Sequence, residues 1–293
     1  MSIMNKKKII FIMGAGRSGT TLLDIMLGNN PEILSAGELN RFPRNNGIPA
    51  FHEARKDASE FWNSISRKLN EQFGSINFEQ LTRESYNHEY HIAFLSFFFK
   101  MKPSISKYYS EFIINFWKTI FNSINQEIVI DSSKYPMRGI VLSELLPYDI
   151  AFIYLKRNPI MVCRSFAKKD VGQPRLNWIK CNVYLLIVNL VCKLVYRKLN
   201  KKHTTMILHY ESLIENPVQA LKNISEKLNI DLKQSIEIVQ NSKPLKTGLL
   251  FDGNRMIAKP EIVLRENETG IEKMNFLDHI TLFIQSFWWK KDN

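Results

Sequence analysis

Apolar residues along this chain fall into two rhythms. The runs 8–13 (KIIFIM), 127–130, 150–155 and 205–209 are short, β-branched and apolar almost throughout. Such runs predict strands buried on both faces, as in a parallel sheet covered by helices. A shorter run at 33–36 predicts one more strand. Helical spacing fills the gaps. Residues 20–28 open with threonine and carry Leu22, Leu23, Ile25, Met26 and Leu27. Further helices are predicted at 137–146, 175–200, 217–228 and 233–240, and one starts at Pro159, where proline fits the first helical position. A last amphipathic helix is predicted over 274–288. Residues 243–270 read as loop, punctuated by Pro244, Gly248, Gly253, Pro260 and Gly270. Residues 50–125 read as irregular helix, amphipathic near 53–70 and 105–124 and densely aromatic at 92–99. Strands alternating with helices predict a single α/β domain over 1–293, a doubly wound parallel sheet flanked by helices, with 45–125 as a helical insertion.

Composition adds one unusual figure. The chain has 45% hydrophobic and 23% charged residues, an ordinary globular balance, but its formal net charge is +12. A basic surface favours anionic partners: nucleic acid, anionic lipid, acidic glycans or nucleotide phosphates. It also serves solubility alone. Cys163, Cys181 and Cys192 form no CxxC pair, and their odd number predicts buried thiols in a reducing compartment. The basic residues 1–8 precede an apolar run too short for a signal sequence. The apolar stretch 183–192 is broken by Asn189, whereas a bilayer span needs about 20 residues. The expectation is a cytoplasmic protein, with peripheral membrane contact left open.

Chemistry first shows at Gly14-Ala15-Gly16-Arg17-Ser18-Gly19-Thr20-Thr21, between a predicted strand and a predicted helix. Glycines let the backbone N–H groups converge on an anion, and the helix N-terminus adds partial positive charge. Arg17 can grip phosphate oxygens bidentately, and the hydroxyls of Ser18, Thr20 and Thr21 add donors. Gly14 and Gly19 have P-loop spacing, so the fold is expected to be P-loop-like. Thr20, however, stands where a nucleotide triphosphatase carries its lysine. A second element follows the strand 150–155: Arg157-Asn158-Pro159, with Ser165 eight residues after Arg157. A strand delivers that arginine to its C-terminal end, where doubly wound sheets bind ligands.

Together these residues resemble the sulfotransferases that use 3′-phosphoadenosine 5′-phosphosulfate (PAPS). GAGRSGTTLL resembles their 5′-phosphosulfate loop, and Arg17 is similar to the Golgi, tyrosylprotein and bacterial branches rather than the cytosolic one. The resemblance implies that Gly16, Arg17, Ser18, Gly19, Thr20 and Thr21 hold the 5′-phosphate, and that Arg157 and Ser165 hold the 3′-phosphate. Asn158 departs from the aspartate usual in that motif. His209-Tyr210-Glu211-Ser212-Leu213 resembles a structural segment of the family. Arg255, in the late loop, is the candidate for a basic loop over the nucleotide. Glu38, after Gly37, matches the glycine–glutamate pair whose glutamate is the base of the tyrosylprotein branch; cytosolic members use histidine. Lys134, before Pro136, resembles a lysine that neutralises the leaving group, a role shared here with Arg17. Arg41 and Arg138 are further candidates for binding donor or acceptor.

The six histidines have no metal spacing, and no metal is expected, because arginine and lysine supply the positive charge. The insertion 45–125 is expected to form the acceptor side, and the run 92–99 reads either as pocket lining or as core. The acceptor is left open between a glycan, a lipid-linked molecule and a peptide, through a hydroxyl or an amine. Two other readings stand beside the sulfotransferase. Asp131 at a strand end is placed like a Walker-B aspartate, as in a P-loop kinase. A basic protein binding nucleic acid or anionic membrane fits the charge, though nucleic acid is disfavoured because it leaves the ordered loop and Glu38 unused.

Overall fold

The computed structural model describes residues 7–90, 93–94, 104–168, 175–264, 274–286 and 288–289, so most of the aromatic run 92–99 lies outside the described residues. Five parallel strands form the sheet: β1 (Lys8–Gly14), β2 (Ile33–Ser35), β3 (Ile128–Lys134), β4 (Asp149–Lys156) and β5 (Thr205–His209). Their order is β2-β3-β1-β4-β5. The chain runs from β1 out to β2, returns through β3, then crosses β1 to β4 and β5. The change of direction makes the carboxyl end of β1 the switch point, where open α/β sheets bind ligands.

Alternation along β1 explains the two layers. Ile9, Phe11 and Met13 face one core, and Ile10 and Ile12 face another; all five are fully buried. The second core is covered by α1 (Thr20–Leu27), which buries all eight of its residues, and by helices that follow β5. The first takes α2 (Lys56–Phe73), α3 (Phe78–Glu89), α4 (Lys107–Asn122) and α5 (Pro136–Leu145). The helices of the 45–125 segment therefore belong to the same core as the sheet. Their aromatics meet Phe42 and the late loop: Phe42 lies 4.7 Å from Phe116 and 5.3 Å from Phe251 between ring centroids, and Trp62 lies 5.3 Å from Phe251.

After β4 come α6 (Pro159–Ala167) and the long α7 (Trp178–Leu199); after β5 come α8 (Tyr210–Glu215), α9 (Pro217–Leu228) and α10 (Lys233–Gln240). The predicted late loop is bracketed by a two-stranded antiparallel ribbon, β6 (Leu245–Lys246) and β7 (Glu261–Ile262), and α11 (Phe276–Gln285) closes the described chain. The cysteines are free and buried.

One expectation is corrected here. Arg138 does not reach donor or acceptor, because it is buried in an ion triad. Its Nε donates to Asp131 at 2.8 Å and its Nη1 to Glu89 at 2.7 Å. Burial opposes the guanidinium charge, and the carboxylates of Asp131 and Glu89 outweigh it. Glu89 also accepts from Tyr109 Oη at 2.7 Å and Ser85 Oγ at 3.1 Å. The triad ties α3 and α5 to the end of β3, with α4 joined through Tyr109, and it occupies the aspartate that a kinase would need for its metal. Removing the shared cation strands two carboxylates in the core, so Arg138→Ala is expected to lose about 3–5 kcal/mol of stability in urea unfolding. A loss under about 1 kcal/mol would class it with screened surface pairs.

Candidate active site

The phosphate loop turns so tightly after β1 that a side chain at Gly14 is excluded: a Cβ there would lie 2.5 Å from the Leu155 carbonyl oxygen. Gly19 has φ 93°, and a Cβ would run into the Tyr210 ring at 2.3 Å. Arg17 adopts φ 66°, a conformation rare for a side-chain-bearing residue. Ser18 is buried and its hydroxyl donates to the Ala15 carbonyl at 2.6 Å, so it holds the turn itself. The Gly16 amide donates to the Tyr184 hydroxyl of α7 at 2.7 Å. No side chain caps α1 at Gly19, which leaves the first-turn amides for another acceptor. Thr20 and Thr21 are buried in that turn, and Thr21 Oγ1 accepts the Asn254 amide at 3.2 Å. The late loop is therefore seated on the phosphate loop through Gly253 and Asn254. Arg255 itself stands exposed on the 3₁₀ turn that follows.

The second element lies beside the first. Arg157 ends its strand with Nη1 donating to the Arg17 carbonyl at 2.8 Å, and its guanidinium lies 4.2 Å over the Tyr210 ring. Burial pulls its guanidinium below the ordinary arginine range, and its Nε is a buried donor without a hydrogen-bond partner among the described residues. Asn158 in place of aspartate keeps the local geometry, because its side chain accepts the Ile160 amide at 2.9 Å and caps α6. Its own amide donates to Glu211 Oε1 at 2.8 Å. Tyr210 and Glu211 thus brace the arginine turn. Ser165 is half-buried on α6, next to Phe166, whose ring lies 5.8 Å from the Arg17 guanidinium carbon. Trp288 and Trp289 line the cleft between Ser18 and Arg157.

Across the switch point, Glu38 and Lys134 meet. Lys134 Nζ lies 2.6 Å from Glu38 Oε1, and Arg41 Nε lies 3.7 Å from Oε2. Register explains the placement: Phe11 pairs with Asp131 but Met13 pairs with Lys134, so β3 carries one extra residue there. Lys134 takes φ 66°, the second such side-chain-bearing residue of the site. The Glu38 amide donates to the Asp252 carbonyl at 3.0 Å, joining the base candidate to the late loop. Burial and the charge of Glu38 push the Asp252 carboxyl up. Outward from Lys134 runs a ladder of rings: Tyr135 lies 4.2 Å from Tyr90, which lies 4.3 Å from Tyr86. Arg44 donates to the Tyr90 hydroxyl and lies 5.2 Å over Tyr86. No group of three or more metal-binding side chains gathers among the described residues.

Several of these residues escape the sequence reading. Tyr184 and Tyr90 reach the site from distant helices, with no local signal. Asp24 did leave a signal, as an acid in the middle of an apolar helix. It is fully buried, and its Oδ2 accepts the Gly37 amide at 3.1 Å and the Ser132 hydroxyl at 2.7 Å. Desolvation pushes its carboxyl up to about 7, against the hydrogen bonds from Ser132 and the Gly37 amide.

A glycine-rich loop at the switch point of a parallel sheet, with an arginine delivered by the neighbouring strand, forms an anion-binding arrangement of the P-loop-like class. Residues 10–234 match the sulfotransferase family. The chain belongs to that family, whose reaction is sulfuryl transfer. Among solved structures, it is similar to the sulfotransferase domain of the Synechococcus PCC 7002 olefin synthase, at 18% identity and TM-score 0.52, covering 99% of this chain and 98% of that one. It is also similar to a sulfotransferase domain from the curacin biosynthetic pathway, at 19% identity and TM-score 0.50, covering 98% and 93%. At these identities the likeness is one of fold. No curated protein matches the sequence.

Asp24 carries a pH signature. Its folded-state value, about 7, lies above the ordinary aspartate value near 4, so the folded chain holds an extra proton between them. Stability from this group is then fully present below about pH 4 and falls as pH rises toward 7. Asp24→Asn keeps an acceptor for Gly37 and Ser132 and removes the titration. Relative to the variant, the wild type is expected to lose up to roughly 4 kcal/mol across that window in urea unfolding. Parallel pH curves for the two proteins would contradict the assignment.

Proposed function

We propose that the chain transfers a sulfuryl group from PAPS to a hydroxyl or amine of a small or polymeric acceptor. The observation that carries the reading is the Glu38–Lys134 ion pair, 2.6 Å long, set beside the phosphate loop at the switch point of the sheet. One group able to take a proton and one able to stabilise departing negative charge stand together where the anion-binding loop ends. PAPS supplies the activated sulfuryl group. The first-turn amides of α1 and the Arg17 side chain suit its 5′-phosphosulfate, and the buried Arg157 Nε suits its 3′-phosphate, with Ser165 of the helix that follows as a second candidate.

In this reading Glu38 accepts the acceptor's proton as the new O–S or N–S bond forms, and the bond from sulfur to the phosphate oxygen breaks. That oxygen leaves with the electron pair, and Lys134 and Arg17 offset its charge. The ion pair must loosen for both roles, and substrate at the site gives each partner a new one. The tyrosine ladder Tyr135, Tyr90 and Tyr86 leads away from Glu38 and supports an acceptor with a ring face, as in a sugar or an aromatic side chain. A kinase reading loses support because Asp131 is committed to Arg138 and Thr20 replaces the P-loop lysine.

Glu38→Gln is nearly isosteric and removes the base. Incorporation of labelled sulfur from PAPS into a pool of glycans, lipids and peptides is expected to fall by about a hundredfold or more. The variant's affinity for phosphoadenosine phosphate, followed by calorimetry, is expected to stay close to wild type. Undiminished incorporation would remove Glu38 from the chemistry.

A further inference from the structure

Helix α11 is folded with its polarity reversed. Of its ten residues, FLDHITLFIQ, it buries Asp278, Thr281 and Gln285. Phe276 and Phe283 are left 77% and 81% exposed. Polar partners on the neighbouring helices fix this orientation. Trp178 Nε1 donates to Thr281 Oγ1 at 2.7 Å, Gln285 Nε2 to the Asn182 carbonyl at 3.0 Å, and Arg164 Nη2 to Asp278 at 2.6 Å. The outward phenylalanines follow from a specific docking.

Helix α7, against which α11 packs, also exposes apolar residues. Ile179, Val183 and Ile187 recur every fourth residue along one side and are 65%, 50% and 50% exposed, with Leu190 following on the same side. Its opposite side, Cys181, Leu185, Val188 and Cys192, is buried in the core. Single exposed apolar residues are ordinary, but two adjacent helices turning apolar faces outward mark an interaction surface.

Charge indicates the partner. Helix α7 contains no acidic residue and carries Lys180, Lys193, Arg197 and Lys198, and the exposed Lys201 and Lys202 follow it. The one acid of α11, Asp278, is buried against Arg164. An apolar stripe bordered by fixed positive charge complements the boundary between acyl chains and anionic headgroups. Helix α7 is long enough to cross a membrane and contains an 18-residue stretch apolar enough to do so, with a mean hydropathy of 1.6. Its packing on β1 and β4 keeps it within the domain, so it suits lying in the interface.

We propose that α7 and α11 form a peripheral docking face for an anionic lipid bilayer. Phe276, Phe283, Val183 and Ile187 enter the acyl boundary, and Lys180 and Arg197 of α7, with Lys201 and Lys202 after it, meet lipid phosphates and carboxylates, whereas Lys198 lies 3.6 Å from Glu144 and Lys193 over the Trp288 ring. The assignment uses none of the residues given to sulfuryl transfer.

The test is co-sedimentation of the full chain with vesicles of phosphatidylcholine alone and of phosphatidylcholine mixed with phosphatidylserine. Wild type is expected to sediment with the anionic vesicles and far less with the neutral ones. The double variant Ile187→Ser, Phe283→Ser replaces only exposed side chains, so its melting temperature and its binding of phosphoadenosine phosphate should be unchanged. Its partition onto anionic vesicles is expected to fall roughly a hundredfold, the scale for losing two buried apolar side chains. Equal binding by variant and wild type would place the contact elsewhere on the basic surface and overturn the assignment. Absence of binding to anionic vesicles would also overturn it. So would a wild-type dimer in sedimentation velocity that the double variant abolishes without vesicle binding, which would give the face to a second copy.

Discussion

A buried carboxyl on α1 holds the two halves of the site in one frame. Asp24 Oδ2 takes the amide of Gly37, the residue before Glu38, and the hydroxyl of Ser132, two residues before Lys134. Its own backbone carbonyl takes the Ser35 hydroxyl at 2.9 Å. Because α1 begins at the phosphate loop, one helix turn connects the anion-binding amides, the base candidate and the lysine. A buried carboxyl is costly unless its lone pairs are used, and the hydrogen bonds it gathers come from the chain segments that must converge. The bonds to Oδ2 set where those segments meet, while Oδ1 is buried without a hydrogen-bond partner among the described residues.

Local strain gathers in the same place. Arg17 and Lys134 both carry φ 66° without the freedom of glycine, a conformation of order 1–3 kcal/mol above the ordinary ones. The extra residue in β3 and the tight turn at Gly14 impose it, and the surrounding core is rigid enough to hold it. The Asp131–Arg138–Glu89 triad lies directly behind Lys134 and locks the end of β3 to α3 and α5. The strained backbone thus sets Arg17 just after β1 and Lys134 at the end of β3, its neighbour in the sheet, on either side of the switch point.

The sheet was legible in the sequence because its strands are buried on both faces and read as unbroken apolar runs. The strand-loop-helix turn was legible because glycine spacing between a strand and a helix has few other uses, whereas Glu38 stood out through its resemblance to a glycine–glutamate pair. What escaped depends on partners far apart in the chain. Arg138 reads as a free cation until Glu89, 49 residues away, is placed against it. Ser18 reads as a phosphate ligand, yet its hydroxyl closes its own turn. The last helix reads as amphipathic with its apolar side inward. Asp278, Thr281 and Gln285 reverse it, because Arg164, Trp178 and Asn182 offer polar partners on the surface where it docks.

The central claim is that the loop and Arg157 together read a nucleotide phosphorylated at both its 3′ and 5′ positions. The direct measurement is thermal unfolding of the purified protein with phosphoadenosine phosphate, ADP or ATP at equal concentration. A ligand present at about 100 times its dissociation constant adds roughly 2.7 kcal/mol of stability. For a domain of this size that is a rise of several degrees, on the order of 5–10 °C. That rise is expected with phosphoadenosine phosphate, a much smaller one with ADP and ATP, and loss of the difference in Arg157→Ala. Equal shifts with ATP, or none with any nucleotide, would contradict it.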